Sequence, residues 1–315
     1  MDTGRELFHK FLRGEPVPRP PFVPLVQGLA ARVGGIPFET MNSDPTLWVS
    51  SLIKTVELFG LDGVVVGVDF TLMAEACGCE VLWKDDRPVI SSLLRDLCEA
   101  PEETGRMRHA LEAARRVFQV SRQERACVAA MTGPVTLARQ LFGPEEGPGR
   151  VGEVKALVVQ MTEAFCKTGP DLLLFMEGQP LGLAELNMGH RRIYNTLRNI
   201  ASYYNIATGL YLEGYRPEGV AEFSALKLDI HILGPSVDKA IPSLSELQKL
   251  GAGGIGIGVG LPIEDLEEAR EIINEGLSYA EGGPGIFFTS VGPLDHEVDL
   301  ESLHRLVKEI VAVRL

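Results

Sequence analysis

ACVAAMTGP, residues 126–134, is an apolar run of strand length that ends in a Gly-Pro turn signal. Its apolar residues are continuous rather than alternating, which is typical of a parallel strand covered on both faces. Seven further runs share this character, and they lie at residues 20–29, 62–70, 171–178, 206–215, 225–233, 253–261 and 285–293. The chain therefore contains eight candidate strands of one parallel sheet.

Helical segments separate these strands. Asp44 and Pro45 predict the start of the first long helix, because Asp caps helices and Pro is favoured at their first position. Eight strand–helix units joined by right-handed crossovers close into a barrel. We therefore predict an α/β fold, a single (β/α)8 TIM barrel that spans residues 1–315. CEVLWKDDRPVIS, residues 79–91, predicts a small hairpin inserted after the second strand.

Composition excludes several classes of partner. The chain carries a net charge of −13, whereas nucleic acids and anionic membranes need clustered Lys and Arg. Five cysteines at irregular spacings favour a reduced, cytoplasmic protein over a disulfide framework. No apolar run reaches the roughly 18–20 residues that span a bilayer. We expect a cytoplasmic protein that is a monomer or a homodimer and binds neither nucleic acid nor membrane.

Polar residues occur where the predicted strands end, and barrels of this type build their active sites there. They are Gln27, Asp69, Thr132, Glu177, Tyr211, Glu213, Asp229, His231, Ser290, Asp295 and His296. Strand periodicity places Tyr211 with Glu213 on one face, and Asp229 with His231 on one face. We predict that several of them line one pocket, because an inward polar pair is costly unless satisfied or used. Any single one is as well explained by structure, with Asp229 capping a loop and His231 forming a hydrogen bond within the barrel.

Short motifs add little chemistry. GAGGIGIGVGLP, residues 251–262, is Gly-rich but lies within a strand and lacks the turn and helix of a dinucleotide site. We interpret its glycines as close packing in the barrel. Cys77 and Cys79 lack the spacing and the partner ligands of a zinc site.

Three segments resemble the uroporphyrinogen decarboxylase superfamily, and with the later strands the resemblance covers nearly the whole chain. They are RPPFVPLVQGLAARVGG (19–35), FGLDGVVVGVDFTLMAEACGCEV (59–81) and TGPVTLARQLFG (132–143), the last resembling the G-x-P-x-T-L-A signature. The superfamily contains decarboxylases and corrinoid-dependent methyltransferases such as methylcobamide:coenzyme M methyltransferase. The resemblance implies a barrel with its site at the strand ends.

Most residues of the decarboxylase site are replaced. Asp69 matches the Asp that contacts the pyrrole nitrogens in those enzymes. Their arginine cluster, which binds substrate carboxylates, is matched by LVQGLAAR, with only Gln27 and Arg32 as polar side chains, and their Tyr is matched by Gln140. Uroporphyrinogen carries eight carboxylates, which a pocket without those arginines binds poorly. The resemblance therefore argues against porphyrinogen decarboxylation.

The methyltransferase zinc site is also replaced. The His-x-Cys pair of the family is matched by Tyr211 and Glu213, and its late Cys falls at Pro293. A zinc-bound thiolate is therefore not expected. A different metal site would use Glu213, His231 and His296, whose oxygen and nitrogen atoms are plausible ligands, and we consider it the less favoured alternative.

Our leading hypothesis is a methyltransferase that moves a methyl group between a corrinoid on a partner protein and a small substrate. An amine or a pterin nitrogen suits a site of acid–base residues. The predicted catalytic residues are Asp69, Glu177, Glu213 and His231, and the predicted substrate-binding residues are Gln27, Thr132, Tyr211, Asp229 and Ser290. The alternatives are a decarboxylase of tetrapyrrole biosynthesis and a non-catalytic protein that binds a corrinoid or a pterin.

Overall fold

The computed structural model describes residues 2–94, 100–178, 186–251, 256–280 and 285–314. Its strands are β1 (Gly63–Val66), β2 (Val81–Lys84), β3 (Arg87–Ile90), β4 (Ala126–Thr132), β5 (Leu172–Glu177), β6 (Ala207–Leu212), β7 (Ile230–Leu233), β8 (Gly256–Leu261) and β9 (Ile286–Ser290). Seven of them form a parallel sheet in the order β1-β4-β5-β6-β7-β8-β9. The predicted α/β fold with a parallel sheet is thereby confirmed.

Helices connect the strands. They are α1 (Gly4–Leu12), α2 (Gly28–Gly34), α3 (Phe38–Ser43), α4 (Pro45–Phe59), α5 (Leu72–Ala76), α6 (Gly105–Ser121), α7 (Pro134–Glu146), α8 (Lys155–Cys166), α9 (Met188–Tyr203), α10 (Leu244–Gly251), α11 (Leu266–Ala280) and α12 (Leu300–Ala312). Asp44 caps α4, as predicted, by accepting hydrogen bonds from the N–H groups of Thr46 and Leu47. A 3₁₀ helix, Pro217–Leu226, stands between β6 and β7. In the described part of the chain, no helix has both the length and the apolar character needed to cross a bilayer.

The predicted first strand, residues 20–29, differs from the structure. Only isolated parallel bridges form there, Phe22 to Phe288 and Val26 to Leu294, and α2 already begins at Gly28. The segment nevertheless lies between the two edge strands of the sheet, because the N–H of Asp62, next to β1, also donates to the Phe22 carbonyl. Three prolines in residues 20–24 remove the N–H groups that a regular ladder needs.

The curled sheet has two buried faces, and we call the space inside it the lumen. One buried cluster joins alternate strand residues, such as Val65, Leu174 and Ile232, to Phe8 and Phe11 of α1. The intervening strand residues pack against the outer helices in a second cluster. Because Phe8 and Phe11 belong to the first cluster, on the inner face, α1 fills the lumen at the amino ends of the strands. In barrels of this type the site lies at the other end, at the carboxyl ends of the strands.

The glycines of β8 are packing residues, as the sequence suggested. A Cβ at Gly258 would lie 2.7 Å from side-chain atoms of Ile232 and Phe287, and one at Gly260 would lie 2.9 Å from Val291 Cα. Neighbouring groups therefore occupy the space that side chains would need.

The strands β2 and β3 form an antiparallel two-stranded sheet outside the main one. Asp86, in the turn between them, accepts hydrogen bonds from the N–H groups of Phe38 and Glu39 at the start of α3. Arg87 forms ion pairs with Asp295 and Glu297 in the segment after β9. These contacts attach the hairpin to the end of the sheet where the strands terminate.

Candidate active site at the strand carboxyl ends

The candidate site lies at the carboxyl ends of the strands, and we call this end of the lumen the mouth. Its polar groups come from the segment after β1, the end of β4, helix α7, β6 with the residue that follows it, and the segment after β9. They are the Phe70 carbonyl, Thr132, Gln140, Tyr211, Glu213 and the Val291 carbonyl.

Tyr211 and Glu213 form the central pair. Tyr211 is fully buried on the lumen side of β6, and its Oη lies 3.1 Å from Glu213 Oε2. The same Oη lies 3.3 Å from the Val291 carbonyl oxygen, beyond β9. Because β7 and β8 separate β6 from β9 in the sheet, the Tyr211 side chain spans the lumen and forms the floor of the mouth.

The surroundings of Glu213 disfavour its ionised form. Burial raises the pKa of Glu213, against the hydrogen bond from Tyr211 and the positive charge of Lys239, which lower it. Burial together with the nearby Glu213 also raises the pKa of Tyr211 well above 10. A half-buried carboxyl with a raised pKa is a candidate acid or base.

Thr132 and Gln140 also belong to the mouth, and both contact the Phe70 carbonyl. The Thr132 hydroxyl and Gln140 Nε2 both donate to the Phe70 carbonyl oxygen, each at 3.0 Å. This carbonyl fixes the orientation of the amide, because a flipped amide would set oxygen against oxygen. Gln140 Oε1 is then buried without a hydrogen-bond partner in the described part of the chain.

Asp69 is held in an ion-pair network between the sheet and α6. Its Oδ2 lies 2.6 Å from Arg106 Nη1, and its Oδ1 accepts hydrogen bonds from the N–H and hydroxyl of Thr71. Arg106 also pairs with Glu75 and stacks on the Trp83 ring at 5.0 Å. Asp69 is 3% exposed, so its carboxylate stabilises the packing of α6, α5 and the hairpin against one another.

Glu177 points to the helical side of the sheet. Its carboxylate accepts hydrogen bonds from the N–H groups of Val135 and Thr136 at the start of α7, from the Thr136 hydroxyl, and from Tyr194 of α9. Gly133 leaves room for it, since a Cβ there would lie 2.4 Å from the carboxyl carbon. The Gly and Thr of the TGPVT segment thus build a binding site for a buried carboxyl of the same chain, and burial raises the pKa of that carboxyl.

His231 and Asp229 share a strand face as predicted, but that face is turned away from the lumen. His231 is 1% exposed, and its Nε2 lies 3.3 Å from the Phe223 carbonyl in the 3₁₀ helix. Asp229 accepts hydrogen bonds from the N–H and hydroxyl of Thr208 near the amino ends of β6 and β7. The structure therefore does not bring this pair to the mouth with Glu213.

Two further predicted residues hold the 20–26 segment and α2. Ser290 Oγ accepts a hydrogen bond from the Leu25 N–H at 3.0 Å and is fully buried. Gln27 precedes α2 as its N-terminal flanking residue, with its N–H donating to the Leu294 carbonyl.

The structure does not bring together the three residues of the alternative metal site. In the described part of the chain, no group of three His, Cys, Asp or Glu side chains is arranged to hold a metal ion. His231 lies on the helical side of β7, so Glu213, His231 and His296 do not converge. The positions that match the family's zinc ligands carry Tyr211, Glu213 and Pro293, which offer neither a thiolate nor an imidazole. The residues present do not fit the thiol-activating zinc of the methyltransferases.

Several residues of the site were not predicted. Arg106 and Tyr194 lie on helices, on elements other than those of the carboxylates that they bind, and nothing in their local sequence indicates these partners. Gly133 and Thr136 belong to the G-x-P-x-T-L-A signature, which was the one available signal.

Comparison with known proteins identifies the family and a solved structure of similar fold. The family model described as uroporphyrinogen decarboxylase matches residues 3–166, more than half of the chain. Among solved structures, a methyltransferase from Methanosarcina mazei is 19% identical, with a TM-score of 0.78 over 99% of each chain. A 2,3-dimethylmalate lyase of the PEP mutase/isocitrate lyase superfamily is 11% identical, with a TM-score of 0.48 over 99% of this chain and 92% of that one. No curated protein sequence matches the chain.

Proposed function

Because the chain belongs to the uroporphyrinogen decarboxylase family, we propose that it is a methyltransferase that moves a methyl group between a corrinoid on a partner protein and a small substrate. One observation carries this proposal. Of the carboxyl groups predicted for the site, Glu213 alone faces the mouth, where its partner is a phenol rather than an arginine or a helix terminus. A carboxyl in that position can exchange a proton with a substrate nitrogen.

Three arginines near the mouth have partners within the chain, which favours methyl transfer over decarboxylation. Arg32 Nη1 donates to the carbonyls of His296 and Val298. Arg87 is paired with Asp295 and Glu297, and Arg106 with Asp69 and Glu75. These three guanidinium groups are committed to partners within the chain, so using them to bind substrate carboxylates would require breaking these contacts.

The shape of the fold supports docking of a large co-substrate. We propose that residues 20–26 act as the eighth strand of a closed barrel within one domain, because they bridge to β9 and accept a hydrogen bond from Asp62 beside β1. Closure leaves the mouth as the open end. A corrinoid held by another protein would approach from there, since α1 fills the opposite end.

In this proposal each residue of the mouth has its own role. Tyr211 holds the Glu213 carboxyl in place, and Glu213 exchanges a proton with the substrate. Gln140 Oε1 accepts an N–H of the substrate, and Thr132 holds the Phe70 carbonyl that orients Gln140. The corrinoid supplies cobalt as the second methyl carrier.

A cobalamin assay tests the proposal. Purified protein is mixed with cob(I)alamin and N-methyl donors, or with methylcobalamin and amines, and the Co(I) and methyl-Co(III) absorption bands are followed by stopped flow. We expect Glu213→Gln to slow the transfer by about 10²–10⁴-fold, the usual contribution of a general acid or base. Glu222→Gln, at an exposed position of the 3₁₀ helix, is the matched control and should leave the rate unchanged.

Absence of any spectral change with every donor and acceptor would contradict the proposal. Tight binding of the same compounds without turnover would instead favour the non-catalytic alternative.

A further inference from the structure

The hydrogen bonds of Tyr211 depend on whether Glu213 carries a proton. Its Oη lies within hydrogen-bond distance of both Glu213 Oε2 and the Val291 carbonyl, and a phenol has one hydrogen to donate. If Glu213 is ionised, both neighbours are acceptors and one is left without that hydrogen. If Glu213 is protonated, it donates to the phenol while the phenol donates to the carbonyl, and all three groups are paired. Among the groups of the chain, therefore, only a protonated carboxyl leaves all three paired.

This arrangement is built into the backbone. A Cβ at residue 234 would lie 2.3 Å from Tyr211 Oη, so Gly234 provides the space in which the phenol ends. The N–H of Glu213 donates to the Glu177 carbonyl at 3.0 Å, which extends the β5–β6 pairing and fixes the start of the Glu213 side chain. The pair is thus in place before a substrate arrives.

The charges around Glu213 agree with this pairing. In the described part of the chain, the groups that act on it are Tyr211 of its own segment and Lys239 of the loop after β7. Lys239 is exposed, and solvent weakens the effect of an exposed charge. Burial is the larger influence, and it raises the pKa of Glu213.

We propose that Glu213 is the acid that delivers a proton to the leaving nitrogen of a neutral N-methyl donor, so that the methyl group moves from the small substrate to the corrinoid. This inference rests on the proposed function. The carbon–nitrogen bond breaks, its electron pair stays on the nitrogen, and that nitrogen takes the proton of Glu213. The methyl carbon accepts the electron pair of the Co(I) corrinoid. Glu213 is left as a carboxylate that accepts the Tyr211 hydrogen, and water returns its proton.

The substrate class follows from this step. A weakly basic nitrogen, as in an aryl amine or a reduced pterin, is a poor leaving group unless it gains a proton. A quaternary ammonium leaves as a neutral amine and needs none. Transfer to a thiol would require a group that removes a proton, which a protonated carboxyl cannot do.

A first experiment measures the proton. Infrared difference spectra between wild type and Glu213→Gln at neutral pH should contain the carbonyl stretch of a carboxylic acid. Carboxylate bands in its place would overturn the inference, whatever the protein catalyses. Glu222→Gln, which alters an exposed glutamate, should give carboxylate bands and so calibrates the measurement.

A second experiment compares N,N-dimethylaniline with phenyltrimethylammonium, which share a ring but differ in whether the leaving nitrogen needs a proton. With cob(I)alamin as acceptor, Glu213→Gln should slow transfer from dimethylaniline by about 100-fold or more and change transfer from the quaternary donor little. Equal losses with both donors, or wild-type transfer from the quaternary donor only, would overturn the inference and leave the proposed function standing. Wild-type transfer from neither donor would overturn the substrate class, and the wider panel above then decides the proposed function.

Discussion

Asp69 matches the family's strand-end carboxylate, yet its contacts are those of a structural ion pair. Arg106 donates to it at 2.6 Å, and both side chains are less than 10% exposed. Removing one partner of a buried pair leaves an uncompensated charge and costs about 3–5 kcal/mol. We therefore expect Arg106→Met to lower the free energy of unfolding by about that amount, and Asp69→Asn to lower it comparably.

Urea unfolding of the two single variants and the double variant checks this prediction. The double variant should be less destabilised than the sum of the two, because each change removes the same pair. Arg116→Met, which breaks an exposed pair with Glu112, should cost under about 1 kcal/mol. If Asp69→Asn keeps full stability while abolishing turnover, Asp69 acts on the substrate instead.

His231 gives the fold a dependence on pH. Burial lowers its pKa from 6.5 to about 4, and its Nδ1 is buried without a hydrogen-bond partner. Because the unfolded chain takes up this proton at higher pH than the folded one, the stability that neutral His231 confers is complete above about pH 6.5. It is lost as the pH falls from there toward 4, and the shift corresponds to roughly 3 kcal/mol.

Unfolding free energies measured between about pH 7 and pH 4 test this sign. His231→Phe should flatten the dependence, whereas His304→Gln, at an exposed position of α12, should leave it unchanged. An equally steep loss in His231→Phe would place the titrating group elsewhere.

At the scale of elements, the strands were predictable and their faces were not. Runs such as 126–134 and 171–178 mark parallel strands because both of their faces are buried. For the same reason they contain no alternation that would tell the lumen side from the helical side. Glu177 and His231 were accordingly expected at the mouth, although they lie on the outer face. Tyr211 and Glu213 were placed together correctly because they are two residues apart on one strand.

Helix α1 was not predicted, although it closes one end of the lumen. Its Phe8 and Phe11 rings contact Phe287 with centroids 5.5 and 5.2 Å away. Two aromatic residues about one helical turn apart in the sequence do not indicate which surface their rings cover. The contact that settles it, Arg5 with Asp171, joins residues 166 positions apart.

Asp171 should anchor α1 to β5. Its carboxylate accepts hydrogen bonds from Arg5 and from the Cys127 N–H, and His9 Nε2 lies 2.8 Å away. These contacts hold the pKa of Asp171 at about 2 although burial opposes them. The stability they confer is complete above pH 3.8, the ordinary value, and is lost as the pH falls toward 2.

We expect Asp171→Asn to lower the free energy of unfolding at neutral pH by about 1–3 kcal/mol, since Arg5 is partly exposed. Asp2→Asn, which breaks the exposed pair with Lys10, is the control and should cost less than about 1 kcal/mol. Hydrogen exchange should quicken in α1 of the first variant. Unchanged protection there would mean that the phenylalanines alone hold the helix.

At the scale of the whole molecule, the charge distribution separates the two activities of the family. The net charge of −13 and the internal pairing of Arg32, Arg87 and Arg106 oppose a polyanionic substrate. A neutral or cationic small molecule meets no such barrier at Glu213. The family match covers residues 3–166, and the fold shared with the solved structure covers 99% of the chain. Neither match distinguishes a decarboxylase from a methyltransferase, because that difference depends on single side chains.

The protein should therefore fail to decarboxylate uroporphyrinogen. Anaerobic incubation should yield no coproporphyrinogen, and titration with uroporphyrin, a stable fluorescent relative of that substrate, should show no saturable binding. Because repulsion between exposed charges is screened by salt, any residual association should strengthen as ionic strength rises, opposite to the behaviour of a site built on arginines. Binding that weakens with salt and is lost in Arg32→Gln would show that Arg32 leaves its carbonyl partners to bind carboxylates. Formation of coproporphyrinogen would show that the protein is a decarboxylase.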